Sequence, residues 1–154
     1  MANAEIVSIG SELLLGQIVD TNAAWMAQRL TDAGINMFYK SIVGDNPGRM
    51  REVIDQALER SDVVITGGGL GPTQDDLTRE IIAQVTGREL VTDPRLLEQI
   101  QTRFQRRGLI MTSNNERQAL IPEGAIPVDN PNGTAPAFVV EDPRGVIYAL
   151  PGVP

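Results

Sequence analysis

The chain has 154 residues, 42% hydrophobic and 21% charged, with a net charge of −7 at neutral pH, the size and balance of one globular domain over residues 1–154. It contains no cysteine and no histidine, which excludes disulfides, zinc held by thiolate or imidazole, and Ser-His-Asp or Cys-His catalysis. Acid–base work therefore falls to carboxylates and water, any metal must be a hard, oxygen-ligated cation such as Mg²⁺ or Mn²⁺, and so acidic a chain is a poor partner for nucleic acid.

In chain order, Glu5-Ile6-Val7-Ser8-Ile9-Gly10 reads as a buried strand ending in a loop at Ser11 and Glu12. Leu13 to Val19 is apolar but broken by Gly16 and has no clear type. Thr21 or Asn22 is expected to cap a helix whose apolar face is Trp25, Met26, Leu30 and Ala33, with Gly34 ending it. Phe38 to Val43 is a second strand and Gly44-Asp45-Asn46 a turn. Pro47 opens a helix with Met50, Val53, Ile54, Ala57 and Leu58 on one face. Ser61-Asp62 leads into a third strand, Val63 to Thr66.

The next stretch is the densest in the chain: Thr66-Gly67-Gly68-Gly69-Leu70-Gly71-Pro72-Thr73-Gln74-Asp75-Asp76-Leu77-Thr78. A run with Leu77, Ile81, Ile82 and Val85 near helical spacing leaves it, so it reads as strand, glycine-rich turn, helix. Glycines bring bare backbone N–H groups close to a ligand, and the helix start favours an anion. Two acids beside an anion site make sense if a divalent cation lies between them and phosphate oxygens. The plainer alternative is a tight turn with an Asp as helix N-cap. No Gly-Lys-Ser/Thr closes the stretch, so it is not a nucleotide P-loop.

Beyond Gly87, Asp93-Pro94 caps a helix to about Arg107, with Leu97, Ile100 and Phe104 inward and Arg103, Arg106 and Arg107 as partners of its C-terminal dipole. A short helix follows over Thr112 to Ala119, then a turn at Pro122-Glu123-Gly124 and a short strand from Ile126 to Asp129. Asn130 to Pro136 is a loop. Phe138 to Glu141 and Val146 to Leu150 form a hairpin. The alternation predicts an α/β fold with a mostly parallel sheet. Four loops then follow strand ends: Gly10-Ser11-Glu12, Gly44-Asp45-Asn46, Gly67 to Thr73, and Pro151-Gly152. On a parallel sheet they converge on one rim, where ligands bind. Asn132-Gly133-Thr134 either closes that site from the side or is a simple turn.

The stretch from Gly68 to Thr78 strongly resembles the signature of the N-terminal domain of the CinA family. The likeness continues in Ser11 to Gly16, Asp20-Thr21-Asn22, Val43-Gly44-Asp45, Arg107-Gly108, Asn115 to Ala119, Asn132 to Pro136, and Leu150-Pro151-Gly152-Val153-Pro154. The wider superfamily it resembles has the MoaB/MogA molybdopterin-binding fold, in which Asp76 and Thr78 occupy an Asp-x-Thr. The resemblance implies a three-layer α/β sandwich and a Mg²⁺-dependent reaction at a phosphoanhydride. In the CinA branch this is ADP-ribose hydrolysis to AMP and ribose 5-phosphate, with potassium linked to it. In the MogA branch it is adenylylation of molybdopterin, and a non-catalytic nucleotide-binding module is a third reading. The resemblance also implies self-association, and a second, deamidase domain for which this chain has no residues.

The expected site has Asp76, Asp75 and Glu12 as catalytic carboxylates, with Asp76 and Asp75 on the metal. Gly10, Ser11, Asp45, Gly67, Gly68, Gly69, Gly71, Thr73, Thr78, Asn132, Gly133, Thr134, Pro151 and Gly152 hold the ligand, a small nucleotide. No run of membrane length and no basic-then-apolar leader appears, so a cytoplasmic protein that binds neither membrane nor nucleic acid is expected.

Overall fold

The computed structural model describes residues 1–152; Val153 and Pro154, which end the Leu150–Pro154 motif, lie outside them. The chain runs through β1 (Asn3–Ile9), α1 (Ser11–Leu14), α2 (Thr21–Asp32), β2 (Asn36–Val43), α3 (Pro47–Arg60), β3 (Val63–Gly67) and α4 (Thr78–Val85). It continues through β4 (Leu90–Thr92), α5 (Pro94–Arg106), α6 (Ser113–Glu116), a 3-10 turn (Arg117–Ala119), β5 (Leu120–Pro122), β6 (Ile126–Val128), β7 (Ala137–Asp142) and β8 (Gly145–Leu150).

Six strands form one sheet in the order β2-β1-β3-β8-β7-β6. The first four are mutually parallel; β7 runs antiparallel to β8, and β6 antiparallel to β7. The sheet is a mostly parallel α/β sheet, as its alternating elements predict. β4 and β5, which local pattern does not separate, pair as a small antiparallel ribbon.

Alternation along the strands sorts the core into two layers. Val7, Ile9, Val64, Ile147 and Ala149 point to one face and pack with Met50, Ile54 and Leu58 of α3, Ile81 and Ile82 of α4, and Leu96 and Ile100 of α5. Ile6 and Ile65 point to the other and meet Ala23, Met26, Ala27 and Leu30 of α2. Three helices cover one face and a single helix the other. Burial of each large aliphatic on the crowded face contributes about 1.5–3 kcal/mol.

The caps follow local chemistry with one correction. Asn46 and Asp93 cap α3 and α5 by accepting from Arg49 N and Leu96 N. The cap of α2 is Asp20, accepting from Ala23 N, rather than Thr21 or Asn22. The expected inner face of α2 also changes: Trp25 is 60% exposed, and Ala23 is the buried residue of the helix. The untyped apolar run begins in α1 and leaves Leu14, Leu15, Ile18 and Val19 exposed.

Candidate functional site

Because β1, β2, β3 and β8 are parallel, the four loops at their carboxyl ends meet on one rim, and hydrogen bonds tie them together. Gly10 N donates to Val43 O at 3.0 Å, and Gly68 N to Leu150 O at 3.1 Å. The Ser11 amide and hydroxyl donate to Asp45 Oδ2 at 3.2 and 3.0 Å, while the Asp45 amide donates back to Ser11 Oγ at 3.2 Å. Ser11 and Asp45 thus lock the β1 loop to the β2 loop.

The glycine loop is held from behind by residues that take its carbonyls. Thr78 Oγ1 donates to Gly68 O at 2.8 Å and Thr78 N to Gly69 O at 3.1 Å. Arg79, 1% exposed, donates to Leu70 O and, at 3.3 Å, to Gly71 O. Arg117 donates to Thr73 O at 2.8 Å and Asp76 O at 3.3 Å, and pairs with Glu80 at 2.6 Å. Among the described residues the amides of Gly69, Leu70 and Gly71 find no acceptor in the protein. Buried or half-buried N–H groups of this kind call for a ligand or water. Burial lowers the pKa of the Arg79 guanidinium to about 10, so it stays charged at neutral pH and adds a fixed positive charge behind the loop.

Two glycines are required sterically. Gly68 has φ +105°, and a Cβ on it would lie 2.3 Å from Ile9 O; Gly69 has φ +72°, and its Cβ would lie 2.0 Å from Thr78 Oγ1. Gly152 packs against Gly68, where a Cβ would approach Cα to 3.1 Å.

These loops surround a cavity of about 800 Å³. Of the expected site residues, Gly10, Glu12, Asp45, Gly67, Gly68, Gly69, Gly71, Thr73, Asp75, Asp76, Asn132, Gly133, Thr134, Pro151 and Gly152 line it. Ser11 acts through Asp45. Thr78 is fully buried and supports the loop from below instead of facing the ligand.

Asp76 departs from the plainer expectation of a helix cap. The N-cap of α4 is Leu77. Asp76 Oδ2 instead accepts from the Thr73 amide at 2.9 Å and hydroxyl at 2.6 Å, and lies where a Cβ on Gly71 would meet it at 2.7 Å. Its Oδ1 has no hydrogen-bond partner among the described residues.

Asp75 is exposed, and Glu12 folds over Gly10, where a Cβ would meet its Oε1 at 2.5 Å. Among the described residues no three carboxylates gather into a ready metal cluster. A Mg²⁺-like ion does not need one, since it takes one or two carboxylates together with substrate phosphates and water. Gln118 adds an oxygen that sequence reasoning missed: it is 1% exposed, lines the cavity, and its Oε1 has no hydrogen-bond partner among the described residues. Buried orphan oxygen, free carboxylate oxygen and the hard donor set fit a divalent cation bound with a phosphate.

The side wall is also built. Asn130 Nδ2 donates to Ala135 O at 2.8 Å and its Oδ1 accepts from Asn132 N at 3.0 Å, while Arg103 donates to Asn130 O. Arg103, expected as a dipole partner at the end of α5 in preference to a phosphate ligand, thus braces this wall. Asp20, Asn22, Trp25 and Met26 complete the lining from the α2 side. Local pattern assigns Trp25 and Met26 to the core because their spacing is equally that of a packed helix face.

The mostly parallel sheet flanked by helices, with a glycine-rich loop on its rim, has the fold of MoaB/MogA-type α/β domains. Residues 5–154 match the family described as "Probable molybdopterin binding domain". The structure of MoaB from Thermus thermophilus superposes with a TM-score of 0.64 at 19% identity, covering 100% of this chain and 83% of that one, a likeness of fold.

The CinA protein of Thermoplasma acidophilum, whose function is given as unknown, superposes with a TM-score of 0.91 at 36% identity over 99% of this chain and 89% of that one. A protein of Acetivibrio thermocellus described as competence-damage inducible is 51% identical over 152 residues, and a CinA-like protein of Trichormus variabilis 48% identical over 153. The chain belongs to the CinA family. Its match spans 99% of this chain in both cases and 37% of the length of each of those two relatives.

Proposed function

We propose that this domain is a divalent-cation-dependent phosphoanhydride hydrolase acting on a nucleotide sugar, with ADP-ribose cleaved to AMP and ribose 5-phosphate. One observation carries the reading: the amides of Gly69, Leu70 and Gly71 are unpaired while their loop's carbonyls are taken from behind, and carboxylates stand beside them. That cradle suits a phosphate, and the acids suit the cation that a polyphosphate brings.

The glycine-loop amides bind and orient the phosphate chain, and Arg79 adds positive potential through the loop. Asp76 would hold the cation, with Asp75 or Glu12 and the Gln118 carbonyl oxygen as further oxygen donors. The chemistry that such a cation would supply there is neutralisation of charge on the bridging phosphates and a lowered pKa for a neighbouring water. Asn132, Gly133 and Thr134 wall the site from the side.

The test is a panel of ADP-ribose, NAD, ATP and FAD, with and without Mg²⁺ and with potassium exchanged for sodium, read by product identity. Turnover of ADP-ribose that stops on chelation is the expected result. Adenylylation of molybdopterin by ATP, with ADP-ribose untouched, would move the reaction to adenylyl transfer, and binding without turnover would make the domain a ligand-binding module.

The same reading includes self-association. Ile65, Tyr148, Val139 and Ile126 form one cross-strand row on the α2 side of the sheet. With one helix on that side, Tyr148 and Ile126 are exposed there. Sedimentation at micromolar concentration is expected to show an oligomer, and a clean monomer would overturn this part.

A further inference from the structure

The chain has one tryptophan, and the fold does not use it as core. Trp25 is 60% exposed on α2. It lines the cavity together with Asn22 and Met26, and positions 22, 25 and 26 are neighbours on one helical face. The guanidinium carbon of Arg29, one turn on, lies 5.4 Å from the ring centroid, which restrains the indole's orientation. The other wall of the same cavity is the glycine loop.

At about 800 Å³ the cavity is far larger than a phosphate or pyrophosphate requires, and falls in the range of sites for complete small-molecule ligands. Its charge is also uneven in kind. The unpaired amides belong to the glycine loop, with Arg79 of α4 buried behind it, whereas the α2 wall offers an indole, a thioether, an amide and the carboxylate of Asp20. That wall offers a phosphate no cradle of loop amides, whereas a flat, uncharged ring can lie on the indole face.

We propose that Trp25 is the stacking platform for the planar heterocycle of the ligand, with Asn22 hydrogen-bonding its edge, so that this cavity selects phosphate esters that carry a flat base over sugar phosphates or free pyrophosphate. The proposal deepens the phosphoanhydride reading and rests on it for the position of the phosphate. A planar ring on an indole face is a sequence-tolerant contact; Asn22, with both a donor and an acceptor, supplies the selectivity.

Because Trp25 is the only tryptophan, its fluorescence reports on this wall alone. AMP and ADP-ribose are expected to quench it saturably, and ribose 5-phosphate and pyrophosphate to leave it nearly unchanged. By calorimetry, Trp25→Ala raises the Kd for AMP by roughly tenfold or more, the scale of one lost base stack, and leaves that for pyrophosphate within about twofold. Trp25→Phe restores most of the AMP affinity. An unchanged unfolding midpoint and circular dichroism spectrum in Trp25→Ala establish that the variant is folded, as expected at an exposed position.

Equal quenching by all four probes would overturn the proposal, as would AMP affinity unaltered in Trp25→Ala. An emission blue shift that follows protein concentration and ignores AMP would also overturn it, and would place Trp25 in a contact between copies of the chain. The two readings separate cleanly. AMP-specific quenching without ADP-ribose turnover keeps the platform and removes the reaction. Turnover with an unchanged KM in Trp25→Ala keeps the reaction and removes the platform.

Discussion

Asp76 closes a turn on Thr73, accepting from its amide at 2.9 Å and its hydroxyl at 2.6 Å through Oδ2. Asn can keep both of those bonds through its carbonyl oxygen, so Asp76→Asn separates the turn from the charge. Without metal, stability is expected to change by less than about 1 kcal/mol, the net worth of one such bond. The kcat/KM for ADP-ribose is expected to fall roughly 10²-fold, the scale of a lost group around a metal, with more Mg²⁺ needed for half-maximal rate. Kinetics unchanged across a Mg²⁺ titration would leave Asp76 with the turn alone and shift the cation to Asp75 or Glu12.

Gly67 and Gly68 are adjacent but unequal. A Cβ on Gly67 meets nothing within 4 Å, whereas on Gly68, at φ +105°, it would lie 2.3 Å from the Ile9 carbonyl. Gly68→Ala is expected to cost roughly 2–4 kcal/mol, combining a strained backbone conformation with a main-chain clash. Gly67→Ala stays within about 1 kcal/mol. Urea unfolding of the pair checks the difference, and equal midpoints would show that the loop is not pinned against β1.

Arg79→Met removes both donors from the Leu70 and Gly71 carbonyls. Each buried acceptor left unsatisfied costs about 1–3 kcal/mol, offset in part by relief of the buried charge. The expected net loss is roughly 2–4 kcal/mol in chemical unfolding, with weaker pyrophosphate binding by calorimetry. A stable variant with full pyrophosphate affinity would show that the loop holds its shape unaided.

Asp142 supplies an acid-side pH dependence. Burial alone would raise its pKa, but the Arg144 amide and guanidinium, both at 3.0 Å from Oδ1, more than offset this and hold it below the ordinary carboxylate value. The folded state therefore binds the proton less tightly than the unfolded chain. Its stabilisation is complete above the ordinary value near 4 and is lost as pH falls through the lower folded value. Asp142→Asn is expected to flatten the fall in unfolding midpoint below about pH 4; a slope as steep as the parent's would assign that dependence to other carboxylates.

Most of the scaffold was legible locally. Helix α3 follows from Asn46-Pro47 and apolar positions at 50, 53, 54, 57 and 58, and the glycine turn from its own residues, because caps, turns and periodicity are properties of contiguous chain. The convergence of Gly10, Asp45, Gly68 and Gly152 also followed, since parallel strands put their carboxyl-end loops on one rim.

Tertiary structure alone decided what each side chain there does. Periodicity gave α2 an apolar face but not its neighbour, so Trp25 read as core until the fold placed a cavity beside it. The doubled acid allowed a helix cap, but Leu77 is the N-cap of α4 and Thr78 is anchored to the Gly68 carbonyl, leaving Asp76 to the preceding turn. Arg79, Arg117 and Gln118 carried no local signature, and Arg103 only that of a helix C-terminus, because what they serve lies across the fold: Arg117 bonds the Thr73 carbonyl 44 residues away and Arg103 that of Asn130, 27 away. A charged or amide side chain in a helix reads as a solvated surface group until the backbone it satisfies is brought alongside it.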